Sequence, residues 1–190
     1  LYDPVGFLTP VIITAKVFIQ SLWREKLDWD TPLPDGLRDE WCKFVAPLGA
    51  VSEIRIPRWM GMSSQRVTTY FGFCDASAKA VAGVIYARSV DNDGAVSISL
   101  IAAKTKVAPE NNVTIPRLEL AAALLLTKLW MHVSEALKCE EAQYTLYTDS
   151  TIVLAWIRNS PAEWKEFVSN RVQYIQSHTD VGRWRHVRSE

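Results

Sequence analysis

The sequence predicts an α/β domain, a mixed five-stranded sheet flanked by helices and preceded by a helical segment. Three observations lead there. Three runs of strand-type residues, 68–74, 80–88 and 96–104, follow one another with no helix between them. One long Leu- and Ala-rich run then separates them from a further strand at 143–148. The first and fourth of these strands each end on an acid, Asp75 and Asp149. In a β-β-β-α-β-α order, those two strands can lie side by side and parallel through the crossover helix, which brings both acids to one end of the sheet.

Residues 1 to 10 are rich in turn formers, with Asp3-Pro4, Gly6 and Pro10, and begin without an initiating Met, as an excised piece would. From Val11 to Leu27 the apolar residues Val11, Ala15, Phe18 and Leu22 make a helical stripe, closed by the charged run at Arg24, Glu25 and Lys26. Trp29 to Gly36 is a Pro-rich connector, and Leu37 to Val45 around Trp41 and Phe44 reads as a second short helix. Trp23, Trp41 and Phe44 need a surface to cover them, so this lead-in is expected to pack on the rest of the chain. Ile54 to Trp59 alternates like a strand but holds Pro57, which suits an edge or a link. A boundary near residue 60 therefore divides a helical segment, 1–60, from the main domain, 61–190.

Thr69, Tyr70, Phe71 and Phe73 are aromatic or β-branched and fit a pleated surface. Alternation puts Phe71, Phe73 and Asp75 on one face, read here as the inward one, where an acid is costly unless paired or bound to metal. Val90-Asp91-Asn92-Asp93-Gly94 joins the second and third strands as a hairpin. Thr114 is placed to cap the long helix, which tolerates Pro116 in its first turn and runs to about Leu137. Glu119 lies in its first turns and shares a face with Ala122 and Ala123, small enough for close approach to the sheet. After the strand 143–148 come helices at 149–157 and 163–177, then a short strand at Trp184 to Val187.

Composition narrows the class. In 190 residues, 48% are hydrophobic and eight are Trp, ample material for a core and inconsistent with a disordered tail. Acids and bases balance at 21 each, so attraction to nucleic acid would have to come from local patches. Cys42, Cys74 and Cys139 are an odd number without metal-ligand spacing, which argues against zinc and for reduced thiols in an intracellular protein. Lys16 and Lys128 interrupt the apolar runs, so no membrane partner is expected.

Asp75, Glu119 and Asp149 are the candidate catalytic and metal-ligating residues. Three clustered carboxylates repel one another unless a cation joins them. Hard oxygen ligands select Mg²⁺ or Mn²⁺, and a pair of such ions about 3.5 to 4 Å apart stabilises the attacking and leaving oxygens at a phosphodiester. The same residues have a plainer use, Glu119 at a helix N-terminus and the two Asp in turns. Lys104, Lys106, Arg117, Arg158 and Arg171 are candidate phosphate contacts, and Ser77 and Ser150 candidate backbone contacts beside the acids.

Asp75 within FCDAS, Glu119 within IPRLELAAALL and Asp149 within YTDSTIVLAWI resemble the first three acids of a ribonuclease H domain. LYDPVGFLTP, LDWDTPLP, IPRW, WKEFVSNRV and WRHVRSE resemble, more narrowly, the Pol polyprotein of BEL/Pao-type retrotransposons. The resemblance spans essentially the whole chain. It implies a thumb or connection segment at residues 1–60, then a ribonuclease H-like domain hydrolysing the RNA strand of RNA/DNA hybrids with two Mg²⁺ or Mn²⁺ ions. It also implies a reverse transcriptase palm in the same polyprotein, and a cytoplasmic replication particle or the nucleus as the compartment. The family pattern continues to a fourth aspartate on a final helix, whereas this sequence stops at Glu190, so hybrid binding with little or no cleavage is expected. His186, inside the last strand, is read as structural, and His132 and His178 have no constellation around them. The rival reading is a non-catalytic remnant that binds nucleic acid or protein.

Overall fold

The computed structural model describes residues 2–57, 59–63, 66–110 and 113–188. Glu190, where the sequence offers no fourth acid, lies outside the described residues. The five strands are β1 (Val67–Ala76), β2 (Ala80–Val90), β3 (Val96–Val107), β4 (Gln143–Thr148) and β5 (Trp184–His186), and they form one sheet in the order β3-β2-β1-β4-β5. β1, β2 and β3 are an antiparallel meander, while β4 pairs parallel with both β1 and β5. This is the mixed five-stranded sheet that the sequence predicts. The β2–β3 turn is held by Asp91, whose Oδ1 accepts from the backbone N–H of Asp93 and Ala95, with Gly94 at a φ of +82°.

The helix α3 (Ile115–Leu137) crosses from β3 to β4. Thr114 occupies its N-cap position, but its side chain makes no capping bond, and left-handed Lys138 ends the helix. By length and composition α3 passes for a membrane span. Its apolar side chains are occupied otherwise: Leu120, Ala122, Ala123 and Leu126 are wholly buried against the sheet. Close approach depends on glycine. A Cβ on Gly72 would come within 2.7 Å of Leu146 Cδ2 and 2.9 Å of Leu126 Cδ1, and one on Gly83 within 3.3 Å of the Leu126 Cα. Beyond β4, α4 (Thr151–Arg158) and α5 (Glu166–His178) complete this layer, with Val153, Ile157, Val172 and Ile175 in the core. Trp184 of β5 is fully buried, and its Nε1 donates to Thr179 Oγ1 at 3.1 Å.

The helical lead-in is held by its first part. Asp3 accepts from the N–H groups of Phe7 and Leu8, and the N–H of Ala103 in β3 donates to the Val5 carbonyl at 2.9 Å. This lays the segment along the sheet edge at the head of α1 (Thr9–Arg24). Gln20 then donates to the Ala108 carbonyl at 2.8 Å, and Arg24 pairs with Glu110 at 3.1 Å. The expectation that the whole lead-in packs on the domain needs correction. The helix α2 (Asp35–Val45) and the following 3₁₀ stretch Ala46–Glu53 bury no residue. Trp41 stacks on Phe18 of α1 and meets Phe44 on its own helix, but Trp23 remains 76% exposed and Trp29 98%.

Candidate functional site

The parallel register of β1 and β4 pairs Phe73 with Tyr147 and Cys74 with Thr148. Asp75 and Asp149 are the next residue on each chain, so they stand next to each other at the carboxyl ends of adjacent strands. The reading that Asp75 points inward with Phe71 and Phe73 is overturned. Tyr70, Gly72 and Cys74 face α3 and are buried, whereas Phe71 and Phe73 are half-buried on the other face and Asp75 is exposed. The physical reason is space: α3 lies so close that the inner face takes glycines, and the aromatics satisfy one another on the outer face. There Phe73 stacks on Tyr147 with ring centroids 5.0 Å apart and meets Tyr86 edge-on at 6.2 Å.

Cys74 sits beneath the acids. Burial, the largest cause, pushes its thiol up to about 12; a hydrogen bond with Thr148 opposes this, and the charges of Asp149, Asp75 and Glu119 add to it. Asp149 Oδ1 is buried and has no hydrogen-bond partner among the described residues, an arrangement that is costly for a carboxylate oxygen unless a cation meets it. Asp75 Oδ1 accepts from the N–H of Ala76 at 2.7 Å. Among the described residues, no three His, Cys, Asp or Glu side chains are gathered tightly enough to hold an ion as they stand. The donor set, carboxylate oxygens only, is right in kind for a hard cation.

The predicted contact residues separate. The Ser150 hydroxyl is buried and accepts from the Val153 N–H at 3.2 Å, so it caps α4 rather than facing a substrate. The Ser77 hydroxyl accepts from Lys79 N–H and Ala80 N–H, closing the β1–β2 turn. Lys104 opens into a cleft of about 400 Å³ between α1 and α3, together with Lys16 and His132, and none of the three acids lines it. Lys106 and Arg158 are exposed. Arg117 lies over the ring of Phe167.

His186 Nε2 lies 3.0 Å from the Asp149 carbonyl oxygen, to which it donates, and the Val187 N–H donates to the Thr148 carbonyl at 3.1 Å. β5 thereby pins the end of β4. A cavity of about 640 Å³ opens beside Asp75 and Asp149, lined by Phe7, Ile13, Phe73, Val84, Tyr86 and Val187 among others. Sequence reasoning missed both Cys74 and this cavity. The signal available was the shared face of Phe73 and Val84, directly paired across β1 and β2.

Residues 1–150 match the family described as Pao retrotransposon-like RNaseH-like domain. No curated protein matches the chain. Similar solved structures include RNase H1 of the halophilic archaeon Halobacterium salinarum NRC-1, at 13% identity, covering 64% of this chain and 85% of that one, with a TM-score of 0.35. The PFV RNase H domain is similar at 13% identity over 67% of this chain and 81% of that one, TM-score 0.34. The prototype foamy virus protease-reverse transcriptase is similar at 14% identity over 83% of this chain and 25% of that longer one, TM-score 0.37.

Proposed function

Since the chain belongs to the Pao retrotransposon-like RNaseH-like domain family, we propose that it serves the metal-dependent endonucleolytic hydrolysis of the RNA strand of RNA/DNA hybrids in a retroelement. The observation that carries this reading is the placement of Asp75 and Asp149 beyond the paired ends of β1 and β4, with Glu119 in the opening turns of α3 and Asp149 Oδ1 without a partner among the described residues. Bound Mg²⁺ or Mn²⁺ supplies activation of water and stabilisation of the departing 3′ oxygen. Asp149 Oδ1 would be the fixed ligand, since burial and the His186 bond to its carbonyl hold it in place. Asp75 would add an oxygen from the exposed side, and Glu119 one from α3. The hybrid would be read through its shape and 2′-hydroxyls, with a reverse transcriptase palm of the same polyprotein as neighbour.

A non-catalytic nucleic-acid-binding role is the second reading, supported by the absence of a ready three-donor cluster among the described residues. The test is a hybrid labelled on its RNA strand, incubated with the chain and with its Asp149→Asn variant in Mg²⁺ and in EDTA. The expected signature of hydrolysis is Mg²⁺-dependent cleavage that is weak in the chain itself and lost altogether in the variant and in EDTA. Hybrid binding of equal strength by both, with no cleavage by either, would favour the binding role.

A further inference from the structure

Two arginines from different helices meet at one aromatic ring on the α3–α5 side of the molecule. The guanidinium carbon of Arg171 lies 3.5 Å from the centroid of the Phe167 ring, and that of Arg117 lies 5.3 Å from it. Arg171 is one helical turn beyond Phe167 on α5, whereas Arg117 comes from the first turn of α3. Neither takes part in an ion pair among the described residues, where the pairs are Arg24–Glu110, Arg38–Asp35 and Arg66–Asp91. Glu163 and Glu166, the acids nearest to Phe167 in sequence, pair with neither.

The hydrogen bonding is as one-sided as the charge. Arg171 Nη1 donates to the Phe167 carbonyl at 2.9 Å, and its Nε is buried without an acceptor among the described residues. The indole Nε1 of Trp164, three residues before Phe167, is a second buried donor without one. Burial also draws the Arg171 guanidinium below its ordinary pKa. Two like charges beside one ring repel each other, and the ring face offsets only part of that repulsion. What the two guanidiniums lack, among the described residues, is an anion to pair with.

We propose that Arg117, Phe167 and Arg171 form a binding site for a backbone phosphate of a nucleic-acid strand. The planar guanidiniums suit a phosphate's paired oxygens, and contacts of this kind fix register without reading bases. Arg117 stands at the same end of α3 as Glu119, on a different side of the helix. The choice of nucleic acid over another anionic polymer rests on the function proposed above.

The test is the binding of a short labelled DNA oligonucleotide in EDTA, followed by fluorescence anisotropy across a salt series. Without metal the three carboxylates repel the strand, so the signal reports the arginine site and not the proposed nuclease centre. Wild type is expected to bind. Arg117→Gln, a change at an exposed side chain that leaves the fold intact, is expected to weaken binding about tenfold and to lower the slope of log K against log salt by about 0.7. Arg171→Lys keeps the charge but loses the planar stack, and is expected to keep the slope while losing affinity. Equal affinity and slope in wild type and Arg117→Gln would overturn the proposal, as would absence of DNA binding by wild type. A loss of slope in Lys43→Gln on α2 equal to that in Arg117→Gln would overturn it too, by revealing diffuse attraction. Failure of hydrolysis alone, with this binding intact, would count against the nuclease reading and leave the phosphate site standing.

Discussion

Asp75 and Asp149 each stand one residue beyond the Cys74–Thr148 pair that ends the parallel register of β1 and β4. Neighbouring strands lie about 4.8 Å apart, so the two acids leave the sheet as close neighbours with the same strand direction. Their environments differ nonetheless: Asp75 is exposed, whereas Asp149 keeps one oxygen buried and unpartnered. A like-charged pair of this kind is a liability in isolation and an asset for holding a cation.

That liability has a stability consequence. Asp149→Asn removes one of two adjacent charges and gives the site a neutral amide, so it is expected to raise metal-free stability by up to about 1 kcal/mol. It is also expected to abolish any rise in melting temperature caused by Mg²⁺. Thermal melts with and without Mg²⁺ check both, and a variant that is less stable without metal and equally responsive to it would show that the orphaned oxygen has another role.

The approach of α3 to the sheet sets a second expectation. Gly72→Ala would place its Cβ against Leu146 and Leu126, both wholly buried, and overpacking of this kind costs about 1 to 3 kcal/mol. Urea unfolding should register the loss, whereas Gly49→Ala, where no atom lies within 4 Å of the added Cβ, should be close to neutral.

Docking of the lead-in depends on Gly6. Its φ is +82°, and a Cβ there would run into the Ala103 carbonyl. Gly6→Ala is therefore expected to release α1 from β3. In limited proteolysis of wild type, cuts should fall in 25–34 and 46–57 while α1 stays protected, and in the variant α1 should be cut as well. Equal protection of α1 in both proteins would show that the edge pairing is not what holds it.

Cys74 gives an alkaline signature. Its thiol ionises near 12 in the fold against an ordinary 9.0. The unfolded chain therefore gives up that proton first, and stability falls as pH rises through the window from about 9 to 12. Tyr70, also raised by burial and by Cys139, adds a loss of the same sign at higher pH. Cys74→Ala should flatten the decline between pH 9 and 11 in denaturant melts. In native alkylation at pH 8, exposed Cys42 should react first and buried Cys74 only on unfolding.

Much of the fold was legible because its signals are local. The hairpin at Asp91 and Gly94, the long apolar helix and the acid-terminated strands each follow from a few residues. The order β-β-β-α-β then leaves few topologies. What was not legible depends on which face a helix covers. Phe71 and Phe73 are the larger apolar residues of β1, yet the inner face belongs to Tyr70, Gly72 and Cys74, because α3 fits only over glycine. For the same reason Cys74 and the cavity beside Asp75 escaped notice. Ser150 shows a different limit: a hydroxyl next to an acid looks like a substrate contact, but directly before an apolar helical run it is a cap. That α2 would bury nothing was also beyond reach, since its Trp41 is taken up by Phe44 on the same helix and Phe18 on α1.

Divalent-ion binding by the wild-type chain and by Asp75→Asn, Glu119→Gln and Asp149→Asn tests the three-acid centre most directly. Mn²⁺ is a suitable probe, followed through its paramagnetic signal at equal concentrations of folded protein. Wild type is expected to bind Mn²⁺, with each substitution weakening it at least about tenfold, a loss of about 1.4 kcal/mol. Mn²⁺ affinity unchanged by all three substitutions, or no binding by wild type, would contradict the assignment of Asp75, Glu119 and Asp149 as a metal centre.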